Sequence, residues 1–139
     1  MSDLLRAQQR FSVDLSRFLL WIDSKGWKAT VTDYGVLADR RLKVNGVAFH
    51  GVDCVHMNGS LHYLKLAADI NLFTEISAEQ PEGGLVTSSD HPAWKEAGAQ
   101  WLSMGDDHAW GGDWDGDGIT GEPGEHDANH VSIRWGGKA

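Results

Sequence analysis

The chain has 139 residues, 41% of them hydrophobic and 23% charged, which supports one globular core and is too apolar for a disordered segment. Lys and Arg number 12 against 20 Asp and Glu, and the formal net charge of −8 has the wrong sign for neutralising phosphates, so no nucleic-acid partner is expected. A single cysteine, Cys54, excludes an intramolecular disulfide and a cysteine-rich zinc knuckle, so any zinc must sit on carboxylates and on some of the 7 histidines.

The N-terminus, Met1-Ser2-Asp3-Leu4-Leu5-Arg6, lacks a basic start followed by an apolar run, and no stretch approaches about 18 apolar residues. Synthesis in a cytoplasm without a signal peptide, and no membrane insertion, are the expectations. From Asp3 to about Lys25, the residues Leu4, Leu5, Phe11, Leu15, Phe18, Leu19 and Ile22 recur at steps of three and four, which predicts an amphipathic helix. Ser2 or Asp3 can cap its start and Lys25-Gly26 can close its end. Trp27 to Asp33 reads as a strand, then Val36 to Val44 as a short helix followed by an irregular loop. Ala67 to Phe73 is a clearer strand, with Ala68, Ile70 and Leu72 on one face and Ala67, Asp69, Asn71 and Phe73 on the other. Thr74 to Ser89, which carries Pro81 and Gly83-Gly84, reads as a long surface loop.

A second helix is predicted from Pro92 to Met104, capped by Asp90 or His91, with Trp94, Ala97, Trp101 and Met104 as its apolar stripe. A loop rich in Gly and Asp, Gly111 to His126, leads to a last strand, His130 to Trp135, where Val131, Ile133 and Trp135 alternate with His130, Ser132 and Arg134. With no repeat and no linker, residues 1–139 read as one α+β domain.

The same alternation singles out candidate chemistry. Apolar faces go to the core, so Asp69 and His130 both project from the opposite face, and they converge if their strands are neighbours in one sheet. His62 lies just before its strand and can fold over that face. Two imidazoles and a carboxylate suit a catalytic zinc, because three protein ligands leave a fourth tetrahedral position for a water that ionises near neutral pH. A further carboxylate is then needed to take a proton and return it to the leaving amine, and Asp127 stands three residues before His130. The competing reading makes His62 and His130 polar residues of a solvated face and Asp69 a hydrogen-bonder or cap.

Two segments carry a resemblance. Ser60-Leu61-His62 with Asp69, and Asp127-Ala128-Asn129-His130 much later, follow the pattern of the zinc peptidoglycan peptidases that include VanY-type D-alanyl-D-alanine carboxypeptidases and phage L-alanyl-D-glutamate endolysins. The stretch from Asn58 to Phe73, and Trp110-Gly111-Gly112-Asp113-Trp114, are similar to the phage members in particular. The resemblance implies a small α+β domain with a central antiparallel sheet, helices packed on one face and a zinc site on the other. It implies that His62, Asp69 and His130 hold Zn2+, that Asp127 is the general base, and that Ser60 contacts substrate or steadies the ligands.

By that resemblance the chain is a hydrolase, a zinc metallopeptidase of bacteriophage host lysis that degrades the cell wall at the L-alanyl-D-glutamate bond of the peptidoglycan stem peptide. It is expected to be a monomer without a separate wall-binding module, acting on the wall or periplasm after membrane breach. A D-alanyl-D-alanine carboxypeptidase or dipeptidase with the same centre, and a non-catalytic zinc- or calcium-stabilised binding module, are the alternatives. One departure concerns substrate positioning: family members often carry an Arg soon after the first strand, where this chain reads Thr32-Asp33-Tyr34-Gly35-Val36. Arg40 or Arg41 is a candidate to replace it, since a guanidinium pairs well with a peptide carboxylate.

Further residues stay open. Asp113, Asp115 and Asp117 have the spacing of an EF-hand calcium loop with Gly118 at the sixth position, but Gly124 occupies the twelfth, where a bidentate Glu belongs, with Glu122 and Glu125 close by. Either Ca2+ orders that loop or Asp and Gly serve its turns. His126, beside Asp127, is a candidate to stabilise an oxyanion, and Trp110 and Trp114 are candidates for a cleft wall or for the core. His50, His91 and His108 are expected at the surface.

Overall fold

The structure, a computed structural model, describes residues 2–34, 43–44, 47–48, 61–62 and 64–139. In chain order the described elements are helix α1 (Asp3–Ser24), strands β1 (Lys28–Tyr34), β2 (Lys43–Val44), β3 (Val47–Ala48), β4 (Ala67–Thr74) and β5 (Gly84–Leu85), helix α2 (Pro92–Leu102), and strands β6 (His108–Gly111) and β7 (Asp127–Ile133). Among the described residues no helix is long and apolar enough to cross a membrane.

Helix α1 begins where the Ser2 hydroxyl accepts from the Leu5 N–H at 3.1 Å, and the chain leaves it through Gly26 at φ 78°. Ala7, Phe11, Leu15, Phe18 and Ile22 are buried, while Leu5 is 43% exposed although the sequence put it on the apolar stripe. Consecutive residues sit about 100° apart around a helix, so only Leu4 of that pair can turn toward the core.

The main sheet is antiparallel, with strand order β1-β4-β7-β6 and β5 paired to β4. Phe73 pairs with Lys28 on β1 and with Leu85 on β5, so β5 shares the edge of β4 that β7 occupies. Strand β7 covers that edge only at Ala67, Ala68 and Asp69, and the registered pairing resumes with β5 at Phe73. Strands β2 and β3 form a separate two-stranded sheet. The helix expected over Val36 to Val44 is therefore wrong at its end, since Lys43 and Val44 pair with Ala48 and Val47. The rest of that helix and the loop after it lie outside the described residues. The surface loop expected over Thr74 to Ser89 is likewise interrupted by β5.

Helix α2 starts at His91, whose ring nitrogen Nδ1 accepts from the Ala93 N–H at 3.0 Å, with Pro92 in the first turn. Its Trp101 is fully buried, edge-on to Phe11 and Phe18 of α1 at 5.8 and 5.4 Å, and its indole N–H donates to the Ser132 carbonyl on β7 at 3.1 Å. One side chain thus ties both helices to the sheet, and each aromatic buried there contributes on the order of 2–3 kcal/mol. His108, expected at the surface, is buried. Its Nε2 meets Asp14 Oδ2 of α1 at 2.9 Å and its Nδ1 meets Asp107 Oδ1 at 3.2 Å. The domain is α+β, with an open antiparallel sheet of five strands, a two-stranded sheet and two helices among the described residues.

Candidate metal centre

Alternation along β4 buries Ala68, Ile70 and Leu72 and turns Asp69 to the other face. His130 lies directly opposite Asp69 across the β4–β7 ladder, and cross-strand partners project from the same face. His62 reaches that face from the turn before β4. Leu61 and Leu66 anchor both ends of the turn in the core, joined by Leu66 N–H to the Leu61 carbonyl at 3.0 Å. Lys65 takes φ 57°, a left-handed conformation uncommon outside glycine, and the Gln8 amide of α1 donates to the Leu64 carbonyl at 2.8 Å. The tethered turn holds His62 at 2% exposure over the sheet.

Three donor atoms from these elements meet. His62 Nε2 lies 3.1 Å from His130 Nδ1 and 3.5 Å from Asp69 Oδ1, and the last two are 3.6 Å apart. Zinc bonds of about 2.0–2.1 Å at tetrahedral angles separate neighbouring ligand atoms by about 3.3 Å, so the triangle has the size of one face of a zinc tetrahedron. Asp69 Oδ1, although buried, accepts no hydrogen bond, which is costly for a carboxylate unless a cation takes the place of the donor. The residues present fit a metal ion.

Asp127 stands just outside the triangle, its Oδ2 4.0 Å from His130 Nδ1 and its side chain 55% exposed. Gly111 of β6 sets its place. That residue pairs with Asp127 at a register shift after Trp110, and a β-carbon on it would lie 2.1 Å from the Asp127 carbonyl oxygen. The Trp114 ring packs against the His130 ring, centroids 5.0 Å apart and planes tilted by 58°. Trp110 goes instead to the core, where its indole N–H donates to the Ala128 carbonyl and its ring fills the space left by Gly98 and Gly112. Of the two tryptophans offered for a cleft wall, Trp110 is therefore core and Trp114, half-buried, packs on His130.

His126 is exposed and borders a groove of about 300 Å³ lined also by Asn71, Thr87, Ser89, Trp94 and Asn129. The groove follows the edge of β4 where pairing passes from β7 to β5. Ser60, Arg40 and Arg41 lie outside the described residues.

A second group of candidate ligands lies in the loop before β7. Oxygens of Asp113, Asp115 and Asp117 fall within 4.8 Å of one another, as do those of Asp115, Glu122 and Glu125. Sequence spacing found the three aspartates and left the two glutamates unassigned, because the chain folds back after Gly121 and Gly124, both at positive φ, before Glu125 returns. Burial pushes the Asp113 carboxyl up, the Ile119 N–H holds Asp117 down, and the charge of Asp117 pushes Glu122 up to about 7.

Compared with known proteins, the chain matches no protein-family model and no curated protein. The geometry defines a class, a small α+β domain with a histidine and aspartate group able to hold a metal ion.

Proposed function

We propose that the chain is a zinc peptidase of bacterial peptidoglycan, endolysin-like, which hydrolyses the L-alanyl-D-glutamate bond of the stem peptide. The observation that carries this reading is the triangle of His62 Nε2, His130 Nδ1 and Asp69 Oδ1, with edges of 3.1–3.6 Å and Asp127 at its rim. It joins His62, Asp69 and the Asp127 and His130 of the Asp-x-x-His segment, which are far apart in sequence.

His62, Asp69 and His130 would hold the ion, which supplies Lewis acidity toward water and the scissile carbonyl. Asp127, half exposed at the mouth, takes the proton of the attacking water and delivers it to the departing amine. Trp114 backs the His130 ring and limits its rotation. Asn71 and Asn129 line the groove along the edge of β4, which offers uncharged hydrogen-bonding groups to a peptide main chain. On this reading the enzyme works on the wall once the membrane is breached. The acidic loop, all oxygen donors, suits a hard cation rather than zinc and takes no part in the reaction.

The test is digestion of purified peptidoglycan by the zinc-loaded protein, with mass spectrometry of the new termini. Fragments with a new amino-terminal D-glutamate are expected. Release of free D-alanine alone would replace the endolysin reading with the carboxypeptidase one, and zinc binding with no cleavage would leave a binding module.

A further inference from the structure

The loop from Asp113 to Glu125 gathers five carboxylates, and Asp115 belongs to both of the three-residue groups they form. Such a cluster on an open surface would mean little, since solvated acids repel weakly through water. Here two members are buried, Asp113 at 3% and Glu125 at 5% exposure. Each has one oxygen on a backbone N–H, Asp113 Oδ2 from Gly118 at 2.9 Å and Glu125 Oε2 from Asp115 at 3.3 Å. The other oxygen of each, Asp113 Oδ1 and Glu125 Oε1, is buried with no hydrogen-bond partner, as is Glu122 Oε1. The Arg134 guanidinium donates to the Trp114 carbonyl at 2.7 Å. Buried carboxylate oxygens that no donor meets are what a cation site looks like without its ion.

We propose that this loop is a calcium site completed by Glu122 and Glu125, and that through Trp114 it tightens the zinc centre. Oxygen-only donors in this number match Ca2+, which takes 6–8 oxygens in flexible geometry, better than Mg2+, which demands a strict octahedron and keeps its waters. Glu125 stands one residue beyond the position where an EF-hand places its closing Glu, and it supplies the carboxylate that the spacing lacks. The coupling is local. Trp114 sits between two ligands of the calcium ring, and its own ring lies on His130. Asp127 follows Glu125 by two residues. An ion that fixes residues 113–125 therefore fixes the packing partner of a zinc ligand and the segment leading to Asp127. This second half rests on the zinc reading above, whereas the calcium site stands without it.

The experiment is calorimetric titration of the whole protein, stripped of metal, with Ca2+, with Mg2+, and with Zn2+ in the absence and presence of Ca2+. One calcium per chain is expected, bound more tightly than magnesium. The variants Glu125→Gln and the exposed Asp117→Asn should each weaken it by about tenfold or more, because affinity in such loops follows ligand charge. Circular dichroism checks that both variants fold. Calcium should tighten zinc by about fivefold or more, and by linkage zinc should tighten calcium by the same factor. Trp114→Leu should abolish that mutual factor while calcium still binds. Calcium binding that is absent, or that is indifferent to both carboxylate variants, would overturn the site. Full mutual tightening in Trp114→Leu would overturn the route through Trp114. Failure of zinc to bind at all would sink the peptidase reading and leave the calcium titration interpretable.

Discussion

Gly111→Ala tests how the fold places Asp127. A β-carbon at residue 111 would lie 2.1 Å from the Asp127 carbonyl oxygen and 2.9 Å from its carbonyl carbon and its own β-carbon. An ordinary carbon–oxygen approach in a sheet is about 3.3 Å, so the two strands must part by about 1 Å at this rung. The obstacle is backbone, not the swinging end of a side chain, so the strain cannot be relieved by a rotamer change. Overpacking of this kind costs about 1–3 kcal/mol, which for a domain of this size lowers the melting temperature by about 4–10 °C. A base displaced by about 1 Å loses on the order of 10²-fold in rate. The three candidate metal ligands are anchored independently, by the Leu61–Leu66 turn and the Asp69–His130 rung, so on the zinc reading metal content should persist. Calorimetry, metal analysis and a peptidoglycan cleavage assay on one preparation measure all three quantities. A variant that melts and cleaves like the parent would refute the claim that this close approach sets Asp127.

Other outcomes follow from single contacts. Asp127→Asn should keep about one zinc per chain and lose about 10²–10⁴-fold in cleavage, whereas His62→Ala should lose the metal, both read by metal analysis beside the cleavage assay. His108→Leu should destabilise the fold by about 3 kcal/mol in urea unfolding, because buried Asp14 then loses its buried partner and keeps only the exposed Arg17 guanidinium at 3.9 Å. Ser132→Ala should be neutral or stabilise by up to about 1 kcal/mol, since the Ser132 hydroxyl is buried with no hydrogen-bond partner and its carbonyl still accepts from Trp101.

Much of this arrangement is legible in the amino-acid order, and the exceptions have physical causes. Helix α1, β4 and β7 announce themselves because each sets apolar residues against polar ones on opposite faces, and periodicity records that difference. The convergence of Asp69 and His130 needed only alternation plus the neighbourhood of two strands. Strand β6 left no such trace, since all four of its residues are buried and β5 is two residues long. His108 was misplaced because its partner Asp14 is 94 residues away, and one histidine in a sequence carries no mark of a distant carboxylate. The acidic loop shows the same limit, with local spacing finding three aspartates and only the folded return bringing Glu125 to them.

Strand β7 follows every other strand of the main sheet in sequence, yet it lies between β4 and β6. A ribosome therefore delivers the sheet with its middle missing, and the outer pieces must wait for an insertion that spans about half the chain in sequence separation. Contacts that remote form slowly. Because His130 travels on the inserted strand, a nascent chain lacks one of the three candidate metal ligands until that strand emerges, and the hydrolytic centre proposed here assembles only once the strand is inserted.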